Sequence, residues 1–225
     1  MADEGLIPKT PTAKDYKAGK EAFNVAEDQG EVFTSDDPVD LFINWFQLAR
    51  KHEVNDPNAM SLATADAGGL PDVRVVLLKD VSRSGFSFYS NSESAKGEEL
   101  STNPQAALCF YWKSIRRQVR VRGQVEALSK SECDNYFAER ARGSQIGAWA
   151  SFQSRPLEDQ EILRQRVTDY EEIYEDRPVP RPENWIGWVV RPQTIEFWVN
   201  RPFRLHDRLL FTSSPEGWQQ SWLYP

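Results

Sequence analysis

The chain has 225 residues and a formal net charge of −7, with 27 Lys and Arg against 34 Asp and Glu. Its 40% hydrophobic content, with 8 Trp, 12 Phe and 7 Tyr, is typical of a globular protein with an aromatic core and excludes extensive disorder outside the termini. The acidity argues against a broad nucleic-acid surface, although a local cationic pocket for a small anion is compatible with it. With no signal sequence, no long apolar run and no metal-ligand spacing, we expect a cytoplasmic protein without a membrane span or a protein metal site.

The N-terminal part of the chain changes character near residue 35. Charged residues, Pro and Ala dominate before that point, so we predict a flexible arm over 1–35 and a single domain over 36–225. The segment SDDPVDLFINWFQLARKHEV then predicts a helix, which Ser35 or Asp36 can cap and whose first turn suits Pro38. Its apolar stripe comprises Leu41, Phe42, Trp45, Phe46 and Ala49.

From Ala59 the pattern changes to the period of two that strands require. Five segments predict strands: AMSLATAD, DVRVVLLKD, GFSFYSN, AALCFYWK and RQVRVRGQVEAL. A helix, SESAKGEELSTN, interrupts them and can begin at Ser92 or Ser94. Helical stretches follow in SKSECDNYFAERARG and PLEDQEILRQRVTDYEEIYEDRP, then strands in WIGWVVRP, TIEFWVN, RLHDRLLFT and GWQQSWLYP. Without βα alternation, this order predicts a mainly β fold with peripheral helices, an antiparallel barrel that is closed or partly closed.

Four cationic clusters stand out in this acidic chain. They are RVVLLK, SESAKG, KSIRRQVRVRG and RPFRLHDR. Arginine suits phosphates through its bidentate fork, and lysine suits them as a mobile point charge. The predicted helix start beside Lys96 can add backbone N–H groups. Several phosphates, or two separate phosphate ligands, explain four clusters better than one phosphate does.

Strand alternation gives two of these clusters a defined face. In KSIRRQVRVRG, Gln118 shares a face with two arginines while the intervening valines point to the core. If residues 204–208 are extended, one face carries Arg204, His206 and Arg208. Such neighbours repel one another unless an anion lies against them.

Two further features are compatible with a ligand site. If YFAERARG is helical, Tyr136 and Arg140 are i,i+4 neighbours, and Ser144 follows where the helix is expected to end near Gly143. A Tyr, an Arg and a Ser that converge would make a phosphate cup. Trp198 precedes the RLHDR segment and can flank a planar ring, although a Trp on a strand more often belongs to a core or an interface.

Together these segments resemble the pyridoxine/pyridoxamine 5'-phosphate oxidases, FMN enzymes with a split-barrel fold that work as homodimers. The resemblance runs from about Asp36 to the C-terminus, with anchors in RVVLLK, GFSFYSNSESAKGEEL, NPQAALCFYW, RRQVRVRGQVE, NWIGW and RLHDR. It implies an FMN-binding split β-barrel with FMN at the subunit interface of a homodimer. It also implies oxidation of pyridoxine or pyridoxamine 5'-phosphate to pyridoxal 5'-phosphate, with O2 reduced to H2O2 and NH3 released from the amine.

The resemblance also implies roles for individual residues, by matching position. FMN contacts would be Arg74, Val75, Val76, Leu77, Leu78, Lys79, Tyr89, Ser90, Lys96, Gln118, Gln153, Ser154, Trp198 and Arg208. Substrate contacts would be Lys79, Tyr136, Arg140, Ser144, Arg204 and His206. Arg204 and His206 would also assist the proton loss that accompanies hydride transfer from substrate C4′ to flavin N5. Which of the two takes a proton is open.

Several positions depart from the pattern of the family. Ala95 stands where an arginine for the FMN phosphate is expected, Val199 and Asn200 replace the usual Gln-Gly, and Trp222 replaces an arginine. In the arm, AKDY has Ala13 in place of Arg. A lost charge-assisted hydrogen bond weakens binding by roughly 10- to 100-fold, so we expect an active enzyme with reduced FMN affinity. The alternative is a non-catalytic FMN- or pyridoxal-phosphate-binding protein, and a nucleic-acid module is the weakest hypothesis.

Overall fold

The computed structural model describes residues 32–225, so most of the predicted arm, including AKDY, lies outside the described residues. The helices are α1 (Pro38–His52), α2 (Ala95–Thr102), α3 (Lys130–Glu139), α4 (Arg142–Ala150) and α5 (Gln160–Ile173), with a 3-10 turn at Pro202–Arg204. The strands are β1 (Ala59–Ala65), β2 (Pro71–Leu77), β3 (Asp80–Ser82), β4 (Gly85–Asn91), β5 (Gln105–Trp112), β6 (Arg117–Ala127), β7 (Trp185–Val199), β8 (Asp207–Ser214) and β9 (Gly217–Trp222). Among these helices none is long and apolar enough to cross a membrane.

Helix α1 confirms the prediction for its segment except at the cap. Asp37, rather than Ser35 or Asp36, caps it by accepting the N–H groups of Val39 and Asp40. Pro38 is the first helical residue, as its missing N–H allows. The predicted stripe is buried except for Phe46, which is half-buried.

Two boundaries differ from prediction, each for a local reason. WIGWVVRP and TIEFWVN form one strand, β7, which passes through Pro192. Gly123 on β6 permits this, since a Cβ there would lie 1.8 Å from the carbonyl oxygen of Arg191. The predicted helix SKSECDNYFAERARG ends early, at Glu139, because Arg140 is extended; the Arg140 N–H and the Gln145 side chain both donate to the carbonyl of Phe137. A separate helix, α4, begins at Arg142.

The described chain divides into two compact units, of which the larger comprises Asn58–Phe110 and Arg120–Ile195. Its strands follow the order β2-β1-β5-β6-β7-β4-β3, and the β1–β2 and β4–β7 pairs are antiparallel. In the second pair Tyr89 lies opposite Gly187. A mainly β, antiparallel fold with peripheral helices is therefore confirmed.

The smaller unit comprises the described residues up to Pro57, Tyr111–Val119 and Glu196–Pro225. Aromatic side chains form its core: Phe197 packs edge-on against Trp45 at 5.1 Å and against Phe211 at 5.6 Å. Strands β8 and β9 form a hairpin in which Gly217 supplies the positive φ (120°) of the turn. The RLHDR segment enters this hairpin.

Candidate active site

A cavity of about 760 Å³ lies in the larger unit, within the usual range for small-molecule and cofactor sites. It is formed by the end of β2, by β4, by the start of α2, and by α3, α4 and the segment after α4. Its lining residues are Asp72, Arg74, Val75, Val76, Leu77, Lys79, Tyr89, Ser90, Ala95, Lys96, Tyr136, Arg140, Ala141, Ser144, Gln153, Ser154 and Trp185.

Lys96 supplies a buried cation at the start of α2. Ser94, one of the two predicted starts, caps this helix, and Lys96 in its first turn is only 7% exposed. The Nζ atom donates to Ser90 Oγ at 3.2 Å, Ser94 Oγ at 3.1 Å and Gln153 Oε1 at 3.2 Å. Burial, and then the charge of Arg74, lower the pKa of Lys96. Because all three hydrogen-bond partners are neutral, an anion in the cavity would stabilise the charged form of Lys96.

Arg74 lies on the same cavity wall, in a polar network with two carboxylates. Its Nη2 donates to Asp72 at 2.5 Å and to Glu99 at 3.2 Å, and its Nη1 donates to the hydroxyl of Thr64. Thr64 in turn donates to Glu99. The backbone N–H of Val73, followed by Arg74, lowers the pKa of Asp72. Both carboxylates therefore compete with any incoming phosphate for Arg74.

Three parallel aromatic rings form another part of the wall. The ring of Tyr89 stacks on Tyr136 at 4.2 Å and on Trp185 at 5.1 Å, with interplanar angles of 10° and 7°. Gly187 makes this possible, because a Cβ there would lie 2.6 Å from the Tyr89 ring. Burial raises the pKa of Tyr89 to about 12, so the phenol stays protonated at neutral pH.

Arg140 supplies a second cationic centre with an unused donor. Its guanidinium lies 4.7 Å above the Trp185 ring, and its Nη1 is buried without a hydrogen-bond partner in the described structure. Burial also lowers the pKa of Arg140. A buried donor left unpaired costs about 1–3 kcal/mol, and a phosphate oxygen would remove this cost. Tyr136 and Ser144 line the same cavity, although the predicted i,i+4 helix geometry is wrong because α3 ends before Arg140.

The cavity brings together thirteen residues of the predicted site, which are Arg74, Val75, Val76, Leu77, Lys79, Tyr89, Ser90, Lys96, Tyr136, Arg140, Ser144, Gln153 and Ser154. Leu78 is buried outside it, with its N–H bonded to the carbonyl of Asn58. Strand β2 ends at Leu77, so Arg74 and Lys79 need not obey strand alternation.

The other predicted residues belong to the smaller unit: Gln118, Trp198, Arg204, His206 and Arg208. The expectation that 204–208 is extended is wrong, since Arg204 has a φ of +60° and β8 begins only at Asp207. Strand alternation therefore does not place the three basic residues on one face. Instead, the His206 ring lies 4.5 Å from the Trp198 ring.

Ion pairs in the smaller unit engage residues on both sides of His206. Arg208 donates to Glu196 at 2.8 Å and to the carbonyl of Tyr224 at 2.8 Å, and the bond to Glu196 raises the pKa of Arg208. Asp207 pairs with Arg201 at 2.6 Å. The sequence had suggested no role for Arg201.

Besides Ala95, which the sequence marked as a lost FMN contact, three lining residues were not predicted: Asp72, Ala141 and Trp185. A signal was present for two of them. Asp72 precedes Arg74 by two residues and therefore shares its strand face, and Trp185 lies in the NWIGW motif. For Ala141 there was no signal, because its position depends on the break between α3 and α4.

Comparison with solved structures defines the class of protein. The chain is similar to PhzG from Burkholderia lata 383, solved with tetrahydrophenazine-1-carboxylic acid, with a TM-score of 0.81 and 30% identity over 85% of this chain and 94% of that one. An FMN-binding protein from Nostoc punctiforme, related to pyridoxamine 5'-phosphate oxidase, has the same fold, with a TM-score of 0.68. The two are 16% identical over 85% of this chain and 100% of that one. The fold is thus that of the split-barrel flavoproteins.

Sequence comparison then identifies the family. Residues 48–174 match the family model described as pyridoxamine 5'-phosphate oxidase, and residues 185–225 match the pyridoxine 5'-phosphate oxidase C-terminal dimerisation region. The pyridoxine/pyridoxamine 5'-phosphate oxidase of Maricaulis maris is 55% identical over 100% of both chains. That of Brucella canis is 56% identical over 85% of this chain and 95% of its own. The chain belongs to the pyridoxamine 5'-phosphate oxidase family.

Proposed function

We propose that this protein is an FMN-dependent oxidase that converts pyridoxine 5'-phosphate and pyridoxamine 5'-phosphate to pyridoxal 5'-phosphate. O2 is reduced to H2O2, and the amine substrate releases NH3. The observation that carries the proposal is the presence of two cationic centres in one cavity: Lys96 with Arg74, and Arg140 with its unpaired buried N–H. A cofactor phosphate and a substrate phosphate require two such centres.

The donor set fits FMN. The start of α2 offers the Lys96 ammonium to the phosphate, and Arg74 of β2 lies on the same cavity wall. Ala95, in place of the arginine expected there, should reduce the affinity. The β2 residues Val75 to Leu77 offer an apolar edge to the flavin ring, with Gln153 and Ser154 as polar partners. When bound, FMN would accept the hydride that leaves substrate C4′ and pass the electrons to O2. The remaining predicted FMN contacts are Leu78, Lys79, Tyr89, Ser90, Gln118, Trp198 and Arg208.

The residues of this chain position the substrate. Lys79, Tyr136, Arg140 and Ser144 hold its phosphate, and the stacked rings fix Tyr136 and Arg140 in place. This anchoring turns the reaction at C4′ into an oriented, effectively unimolecular step. Arg204 and His206 orient the pyridine ring and its C4′ substituent. The active form is a homodimer with FMN at the subunit interface, as supported by the match of 185–225 to a dimerisation region.

Oxygen consumption by the purified holoenzyme tests the proposal. Pyridoxamine 5'-phosphate and pyridoxine 5'-phosphate should each support O2 uptake and H2O2 formation, and their dephosphorylated counterparts should react poorly, because Arg140 then has no anion to bind. Bound FMN without turnover of either phosphate would instead identify a binding protein, the alternative that Ala95 favours. Turnover that ignores the phosphate would point to a carboxylate-bearing substrate, a class of compound to which the acid bound in the PhzG complex belongs.

A further inference from the structure

The loop between β7 and β8 is clamped at both ends. Arg201, near its start, pairs through Nε with Asp207 Oδ2 at 2.6 Å, where β8 begins. Both side chains are partly shielded, with 27% and 38% of their surfaces exposed. Inside the clamp, the N–H of Leu205 donates to the carbonyl of Pro202 at 3.2 Å. The five intervening residues therefore form a tight turn.

This turn holds an unfavourable backbone conformation. Phe203 and Arg204 have φ values of +58° and +60°, the left-handed region that non-glycine residues rarely adopt. Two such residues in succession persist only when their surroundings impose the conformation. The Arg201–Asp207 ion pair, which spans the turn, supplies that constraint. Strain of this kind concentrates at functional sites.

The first residue of the clamp, Arg201, also forms a hydrogen bond to His206. The backbone N–H of Arg201 donates to His206 Nδ1 at 3.1 Å. A neutral imidazole has one N–H and one lone pair, so a lone pair used at Nδ1 puts the proton on Nε2. The groups around the ring are Trp198, Arg204, Arg208 and Asp207. Burial and the two arginines outweigh Asp207 and lower the pKa of His206, so the ring is neutral at physiological pH.

We propose that Arg201 and Asp207 are positioning residues that fix His206 as the Nε2–H tautomer. On the proposed function, His206 then meets the substrate as a hydrogen-bond donor to an oxygen substituent on the pyridine ring. It does not act as a base, because its lone pair at Nδ1 is occupied by the main chain. No proton changes hands at this residue.

Nitrogen NMR of the full-length protein labelled with ¹⁵N-histidine tests the tautomer directly. The chain has two histidines, so His52→Gln leaves the His206 signals alone in the spectrum. Near pH 8 we expect a protonated Nε2 and an unprotonated Nδ1. A protonated Nδ1 would overturn the proposal, whatever the enzyme turns over.

Variants of the ion pair test the positioning role. Asp207→Asn should give a mixture of tautomers and lower turnover roughly 10- to 100-fold at unchanged FMN content, the loss typical of one charge-assisted bond. Asp207→Glu should restore most of the Nε2–H signal and most of the turnover. The matched control is Glu126→Gln, which breaks the Arg191–Glu126 pair of the same 2.6 Å length and should change neither.

An Asp207→Asn protein with a pure Nε2–H signal and normal turnover would show that the clamp is not needed. Failure of the proposed function is distinguishable from this result. In that case the wild-type protein would show the Nε2–H signal with no substrate-dependent oxygen uptake.

Discussion

At the scale of single residues, the cavity is defined by cations held without full neutralisation. The ammonium group of Lys96 donates hydrogen bonds to two hydroxyls and an amide oxygen, and burial lowers the pKa of Lys96. Arg140 keeps a buried N–H that no residue of the described range 32–225 accepts. In both arrangements the cation is more stable with an anion bound than without one, and this difference in free energy is the physical basis of the proposed phosphate binding.

The lowered pKa of Lys96 predicts how FMN affinity depends on pH. The FMN phosphate favours the charged ammonium, so binding raises the pKa of Lys96 relative to the free protein. Affinity should therefore be complete below the free-state pKa of Lys96, which lies below the usual 10.5, and should weaken as pH rises through that pKa. Fluorescence titration of FMN from about pH 7 to about pH 10 measures this.

Lys96→Met should weaken FMN binding roughly 10- to 100-fold at neutral pH and flatten this pH dependence. The control is Lys130→Met, which removes an exposed lysine at the start of α3. A wild-type-like pH profile in Lys96→Met would refute the assignment.

Glu99 offers a change in the opposite direction. It accepts hydrogen bonds from both Thr64 and Arg74, and it therefore reduces the positive charge available to a phosphate. Glu99→Gln should keep the hydrogen bonds while removing the charge, and FMN should bind several-fold more tightly. Equilibrium dialysis of the apoprotein measures the change. Glu98→Gln, which alters the exposed Arg155 pair nearby, should leave the affinity as it is. Equal or weaker binding in Glu99→Gln would contradict this reading of the network.

At the scale of elements, the start of α2 depends on close backbone packing. A Cβ on Gly97 would lie 2.2 Å from the carbonyl oxygen of Ser92, and backbone cannot yield as a side chain can. Gly97→Ala should therefore displace the first turn of α2 together with Lys96. We expect a lower melting temperature and loss of FMN from the purified protein.

The matched control for this prediction is Gly147→Ala on α4, where nothing lies within 4 Å of the added Cβ. Alanine should stabilise that helix by up to about 1 kcal/mol. Differential scanning calorimetry distinguishes the two variants. Equal melting temperatures in the two variants would mean that α2 accommodates the Cβ added by Gly97→Ala.

The sequence predicted most elements because their signals are local. Alternation gave the strands, and Pro38 and Ser94 gave helix starts correctly. The failures depend on contacts between distant residues. The end of α3 depends on the Gln145 side chain, the continuity of β7 depends on Gly123, and the turn before β8 depends on the Arg201–Asp207 pair. No short-range pattern encodes these contacts.

The residues of the cavity were predictable because the family resemblance extends over whole motifs. The side chains that contact these residues were not predictable. Lys96 and Arg140 came from motif positions, but the acids that hold Arg74 and the ring beneath Arg140 come from other elements. The consequences of Ala95 likewise depend on the neighbouring network.

At the scale of the whole molecule, we predict a homodimer. Sedimentation should give a mass of twice the 25.9 kDa chain. Strand β2 presents an apolar row to solvent, with Val73 and Val75 62% and 68% exposed, which offers a surface to a second copy. Val73→Glu should shift the equilibrium towards monomer. Val54→Glu, at an equally apolar but isolated position that is 92% exposed, should leave the equilibrium unchanged. A monomeric wild-type protein would contradict the prediction.

Electron transfer from a phosphorylated pyridine to the flavin is the central step of the proposed function, and anaerobic mixing tests it most directly. Purified protein loaded with FMN should lose its yellow absorption when pyridoxamine 5'-phosphate or pyridoxine 5'-phosphate is added without oxygen. Pyridoxal 5'-phosphate should form in this anaerobic step, and admission of O2 should then restore the colour with formation of H2O2. A flavin that stays oxidised with both substrates bound would contradict the account.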